Sequence, residues 1–332
     1  SSIFIIKTQA KNVKQKKEFL LKTEKRQAFY YAIFSILVLF FILNMLTSPA
    51  RFISKSLDGI SAWAFNVLPS VLPFMFFTKV LSALDTLPKL TRPFSGLSQK
   101  LFKTPPISIY AFIMAILSGY PVGSKMVADL YLQGKITKQD AFKMTSFCST
   151  SGPMFIVGAV GVGMFKSAKI GYILFLSHVL GAILNAILYR NLKLKFDESQ
   201  EKTESQTKAF DLSEIVLNST ISILSVGCII TIFFIVIECF SPILSLLPQN
   251  LAFFFEGIIE ITKGCIDLAT FSNQFLAVSL VSFVISFGGI STLLQSLTMI
   301  AKLKMPVKTF ALQKLTHACF SAVITVFILL IS

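Results

Sequence analysis

Four short polar interruptions set inside apolar stretches are the places where this sequence could do chemistry. SGYPVGSK (118–125) interrupts Ile107–Leu132, and STSGP (149–153) interrupts Ala141–Phe165. EITKG (260–264) lies within Leu251–Ala269, and FGGIST (287–292) interrupts Phe275–Lys302. Glycine and proline free backbone N–H and C=O groups, and in lipid each unsatisfied group costs several kcal/mol. Such breaks persist where protein or a water-filled cavity satisfies them. The residue types also set the direction of the half-helices. Gly119 suits a helix C-terminus and Pro121 the first turn of the next half-helix. Ser151 can cap ahead of Pro153, and Gly288 and Gly289 open the backbone ahead of Ser291, a second candidate cap. Three half-helix N-termini would then present free N–H groups and a positive dipole end, a setting that suits a carboxylate or phosphate-like anion.

The ionisable residues in these stretches carry two readings each. Lys125 could bring positive charge to the site, at about 2.5–3.5 kcal/mol against insertion at the bilayer centre. It could equally snorkel at an interface or be neutralised by Asp129 one turn on. Lys263 with Asp267 raises the same question at greater depth. Glu260 could bind a coupling proton or cation, or pair with Lys263. His178 and His317, on apolar helices, are either satisfied buried histidines or proton carriers.

The elements that must position these groups follow from composition. Of 332 residues, 54% are apolar and only 14% charged, with mean hydropathy +0.74. Too few charges remain to cover a water-soluble surface, so a soluble globular enzyme and a disordered chain are both excluded. At about 20 apolar residues per crossing, the length allows roughly seven to nine membrane segments. Formal net charge is +15, and residues 1–28 hold eight bases against two acids. That run reads as a cytoplasmic flank beside anionic lipid rather than a nucleic-acid surface. Phe29–Leu46 follows as a retained helix with its N-terminus inside. Leu57–Leu84 carries Pro69 and Pro73, which should kink or break it. The five cysteines form no CxxC, and with two histidines a zinc site is not expected. No GxSxG, Walker A, HExxH or dinucleotide glycine fingerprint occurs, so neither catalysis nor a cofactor is expected.

The halves of the chain repeat. Lys125-x-x-x-Asp129-Leu130 recurs as Lys263-x-x-x-Asp267-Leu268, and Leu176-Ser-His178 recurs as Leu315-Thr-His317, at offsets of 138 and 139. STSGP falls opposite FGGIST. The expected organisation is therefore a basic segment (1–28), a first helix and loop (29–56), a first membrane repeat (57–190), a charged linker (191–211) and a second repeat (212–332). Discontinuous helices in a duplicated membrane fold form midplane substrate sites in secondary transporters.

At these motifs the sequence resembles the sporulation integral membrane proteins of the YlbJ/SpoVV type, in the nucleoside-recognition or Gate-domain group. The stretches that carry the resemblance are WAFNVLPSVLPFMFFTKVLSAL (63–84), SGYPVGSKMVADL (118–130), FCSTSGPMFIVGAVGVGMF (147–165), SHVLGAIL (177–184), EITKG and FGGISTLLQ (287–295). The resemblance spans roughly residues 57–332. It implies kinship with concentrative nucleoside transporters, whose inverted repeats hold re-entrant hairpins and broken helices. It also implies a place in the outer forespore membrane, a need in spore cortex formation, and transport of dipicolinate, a planar dicarboxylate. By motif it makes Ser118, Gly119, Pro121, Gly123 and Lys125 substrate-facing. It adds Ser149, Thr150, Ser151 and Gly152, then Glu260 and Thr262, then Gly288, Gly289, Ser291 and Gln295. The chain departs from the family pattern between Ser291 and Gln295, where Thr292, Leu293 and Leu294 stand and a second polar residue is usual.

The expectation is an all-α polytopic membrane protein with two repeats, expected to be inverted, and a solute site between them. Its partners would be a small organic anion and the bilayer, with self-association open and nucleic acid excluded. A nucleoside-type transporter or gate, and a non-transporting spore-envelope assembly protein, are the alternatives. A neutral, sugar-bearing ligand would favour Asn, Gln and carboxylates over lysine.

Overall fold

A computed structural model describes residues 28–84, 92–194 and 211–331. The basic segment 1–27, part of the 85–106 connector and most of the charged linker lie outside the described residues. The chain divides into two compact units, residues 1–54 and 55–332. The first contains helix α1 (Ala28–Thr47), apolar and long enough to cross a membrane.

The described elements are all helical. After α2 (Pro49–Ala62) comes a π turn (Trp63–Val67) and α3 (Leu68–Ala83). Next are α4 (Ile107–Ser118), α5 (Val122–Leu132), α6 (Lys138–Cys148), a π helix (Met154–Met164) and α7 (Ala168–Tyr189). The long α8 (Leu212–Leu244) leads to α9 (Gln249–Ile259), α10 (Ile261–Leu268), α11 (Gln274–Phe287), α12 (Gly289–Met299) and α13 (Val307–Ile331). Among the described residues, six helical stretches are long and apolar enough to span a bilayer.

Of the two expected outcomes, a kink or a break, the helix is not broken: helical structure continues through Pro69 and Pro73. The π turn just ahead of Pro69, in which the Leu68 N–H reaches five residues back to Trp63 O, relieves the backbone ladder. Ser70 Oγ donates to Asn66 O at 3.0 Å within the same stretch.

The segment 107–132 turns back on itself. In a straight helix Ala115 and Gly123 would stand about 12 Å apart, yet a Cβ at Gly123 would lie 3.1 Å from Ala115 Cα. The second copy does the same more tightly. A Cβ at Gly264 would lie 2.0 Å from Gly257 Cα, so only paired glycines let these two legs touch. Both segments are therefore re-entrant helical hairpins, α4–α5 and α9–α10.

The duplication holds element by element. Hairpin tips at Pro121 and Glu260, helix breaks at Ser149 and Gly288, and His178 and His317 are each separated by 139 residues. Each copy is a hairpin, a helix broken in mid-course, and a long helix, α7 or α13. Those long helices cross closely: a Cβ at Gly181 of α7 would lie 2.2 Å from Ser321 Oγ of α13.

Candidate functional site

Each hairpin tip rests on the helix break of its own repeat. Gly119 ends α4 at φ +71° and ψ −167°, a backbone region essentially reserved for glycine. A Cβ there would lie 2.7 Å from Gly152 N, so tip and break meet backbone to backbone. In the second copy Gly289, φ +71°, would place a Cβ 3.1 Å from Ile261 N and 3.2 Å from Gly257 O.

Side chains then join the two copies. The Tyr120 hydroxyl donates to Ser286 O at 3.4 Å, and its ring would lie 3.2 Å from a Cβ at Gly288. His178 Nε2 accepts the Ser151 N–H at 3.0 Å, and Nδ1 stands 2.8 Å from Ser286 Oγ. Because Nε2 accepts, the neutral ring carries its proton on Nδ1 and donates to Ser286. One buried imidazole thus ties the first break to the end of the helix before the second. His317 Nε2 donates to His178 O at 3.0 Å, with the rings 4.7 Å apart. The only two histidines in the chain meet at the repeat interface.

All four interruptions open onto one cavity. The first hairpin contributes Ser118, Gly119 and Tyr120, and the first break contributes Ser151 and Gly152. The second hairpin contributes Glu260 and Thr262, and α12 contributes Ser291, Thr292 and Gln295. The opposite wall is apolar: Val67, Val71, Phe74 and Met75 from the proline-bearing helix, Val226 and Ile230 from α8.

Among the described residues, Glu260 is the only acidic or basic side chain on this lining. It is 1% exposed, and its Oε2 accepts the Lys263 N–H at 2.7 Å, capping α10. A carboxylate at a helix N-terminus is stabilised by the dipole and the free N–H groups. Lys263 does not neutralise it. That ammonium goes instead to Glu256, at 3.1 Å, and to Asp267, clasping the two hairpin legs. The Ser118 and Ser291 hydroxyls are buried on the cavity lining with no protein partner among the described residues.

Eight of the fifteen expected substrate positions line the cavity: Ser118, Gly119, Ser151, Gly152, Glu260, Thr262, Ser291 and Gln295. The other seven do not. Lys125 sits a turn beyond the tip with its side chain 61% exposed and its ammonium on Asp129 at 3.0 Å. The salt bridge and solvent account for it, and it brings no charge to the cavity. Gly123 packs against Cys148 O, while Gly288 supplies a left-handed turn and Gly289 a close backbone approach. Ser149 turns its carbonyl to Lys314, and the Thr150 hydroxyl is buried with no partner among the described residues. Pro121, at the tip, holds the N-cap position of α5 and is not on the lining. Neither Ser151 nor Ser291 caps a half-helix; the Ser151 N–H is spent on His178, and α12 starts from Gly288 without a side-chain cap. His178 and His317 stand behind the lining rather than on it.

Tyr120, Thr292 and Lys314 were not singled out by the sequence. Tyr120 lies inside SGYPVGSK and Thr292 inside FGGIST, so both were within the motifs. Lys314 had a separate signal: a lone base in the last apolar run, three residues before His317 and on its helical face.

Residues 64–168, which hold the first two interruptions, match the Gate family, described as nucleoside recognition. The chain is 25% identical over 325 residues to the sporulation integral membrane protein YlbJ of Bacillus subtilis (strain 168), covering 86% of this chain and 79% of that protein. Among solved structures it is similar to a doubly substituted CNTnw in an outward-facing state, with TM-score 0.49, 13% identity, and 81% and 76% of the two chains covered. The chain is thus an all-α, multi-pass integral membrane protein that matches the Gate model over residues 64–168 and is similar to YlbJ.

Proposed function

We propose that this protein moves a small neutral solute of the nucleoside class across the membrane by alternating access around the cavity. The observation that carries this reading is the convergence of four membrane-depth interruptions on one half-polar, half-apolar hollow whose only acidic or basic side chain among the described residues is Glu260. The apolar wall suits the face of a heterocycle. Glu260, Gln295 and the serine and threonine hydroxyls suit the hydroxyl and N–H groups of a sugar and base. The Gate description of residues 64–168 supports the same class. Two span-length helices, α7 and α8, separate the hairpins; with the broken segment 138–164 taken as a third crossing, the odd number inverts the second copy.

The dicarboxylate expectation came from the resemblance, beside an anion reading drawn from half-helix N-termini with Lys125 as a possible added charge. Lys125 lies outside the cavity, and the α10 N-terminus already holds its own carboxylate. A carboxylate ligand would share the cavity with the Glu260 carboxyl group and meet no basic side chain among the described lining residues. The sporulation name of the relative supports action during endospore formation. The outer forespore membrane is the proposed location and cortex formation the proposed process.

Uptake of labelled uridine and of dipicolinate into proteoliposomes, by wild type and Glu260→Gln, tests this reading. A charged acceptor outdoes a neutral one by about 1.4 kcal/mol. Uridine uptake should therefore exceed that of empty vesicles and fall about tenfold in Glu260→Gln. Dipicolinate uptake that exceeds uridine uptake, and rises in the variant, would overturn the neutral-solute assignment. Uptake of neither compound would remove the transport reading.

A further inference from the structure

Lys314 is 2% exposed on α13, and among the described residues no carboxylate lies within ion-pair distance of it. Its ammonium donates to Ser149 O at 2.7 Å and to the Tyr120 hydroxyl, and it sits 4.6 Å from the centre of the Tyr120 ring. Ser149 is the residue on which α6 ends, so its carbonyl belongs to the negative end of a half-helix dipole. Tyr120 is the tip of the first hairpin. One buried cation therefore joins the hairpin tip to the open end of the broken helix it closes on.

An unpaired ammonium at membrane depth is costly, and such residues are retained where they act. The duplication sharpens the point. The position 139 residues earlier, in α7, is Phe175, so the charge is present in one copy only. In cation-coupled carriers, unwound carbonyls and half-helix C-termini are where a mobile sodium ion or proton is held. Here the chain's own side chain reaches that kind of place.

We infer that Lys314 is a built-in cation that clamps the first hairpin onto the end of α6, so that closure of the tip needs no sodium or other free small cation. Lys314 does not line the solute cavity and acts by positioning Tyr120.

Melting of the purified full chain in sodium, choline and methylammonium chloride tests this, and it stands apart from any uptake result. Wild type should melt at the same temperature in all three salts, within about a degree. Lys314→Ala should melt several degrees lower in sodium and choline and recover at least half of that loss in methylammonium, which can fill the vacated space with a small ammonium. Lys314→Met keeps the stem but not the charge; it should melt lower and gain nothing from methylammonium. Stabilisation of the wild type by sodium over choline would overturn the inference. So would a Lys314→Ala protein that melts like wild type, or one that methylammonium does not rescue. If Lys314→Ala fails to fold, the wild-type salt comparison and Lys314→Met still decide the matter.

Discussion

Replacing Gly119 by alanine isolates the contact between the first hairpin tip and the first helix break. Two effects add there. The backbone, at φ +71° and ψ −167°, occupies a region that costs a residue with a Cβ about 1–3 kcal/mol. The new methyl would also stand 2.7 Å from Gly152 N, against main chain that has no rotamer to move. Gly134 provides the control. It too has positive φ, +67°, but nothing lies within 4 Å of a Cβ placed on it. Gly134→Ala should therefore lose only strain, about 1–2 kcal/mol, or a melting decrease of about 2–4 °C. Gly119→Ala should melt clearly lower than that control and lose uridine binding at least about tenfold, because the displaced tip carries Ser118 and Tyr120 away from the cavity. Melting and equilibrium binding of the two purified variants supply the comparison. If Gly119→Ala melts and binds like Gly134→Ala, the tip does not rest on the break and the packing argument is wrong.

Lys125→Ala removes a solvent-exposed i,i+4 pair, worth about 0.3–0.5 kcal/mol, so melting should move by no more than about 1 °C and uptake should match wild type. A large uptake loss would put that ammonium back in the site. His178→Ala strands both the Ser151 N–H and the Ser286 hydroxyl in a buried setting, at about 1–3 kcal/mol for each unsatisfied group. It should destabilise the protein more than His317→Ala, which takes a donor only from His178 O; the reverse order in thermal melts would contradict the bonding described.

The fold was legible where the sequence paired polarity with position. Lipid forbids unwound backbone without a purpose, so SGYPVGSK, STSGP, EITKG and FGGIST marked the tips and breaks before any coordinates did. The two histidines, matched by offset, turned out to touch across the repeat interface. Whether 107–132 crosses or turns back was not legible, because the Ala115–Gly123 contact that decides it is a matter of three-dimensional approach. The π turn ahead of the proline pair was not legible, because it leaves no mark in composition. The charges misled most. Helical spacing puts Lys125 close to the tip in number but one turn outside the cavity in space. Lys263 had three acids within reach of its flexible stem, and it took Glu256 and Asp267 rather than Glu260. Lys314, far off in sequence, reaches the first hairpin only because α13 packs behind it.

The most direct measurement is solute protection of single cysteines in a chain whose five native cysteines have been replaced. Gly152→Cys is suited to this, since a Cβ there makes only ordinary contacts from 3.5 Å outward, and Gln295→Cys reports from the other repeat. Uridine should slow maleimide labelling of both and leave Lys125→Cys, on the exposed outer turn, unchanged. Protection of Lys125→Cys while Gly152→Cys and Gln295→Cys label at the same rate with and without solute would contradict the shared cavity.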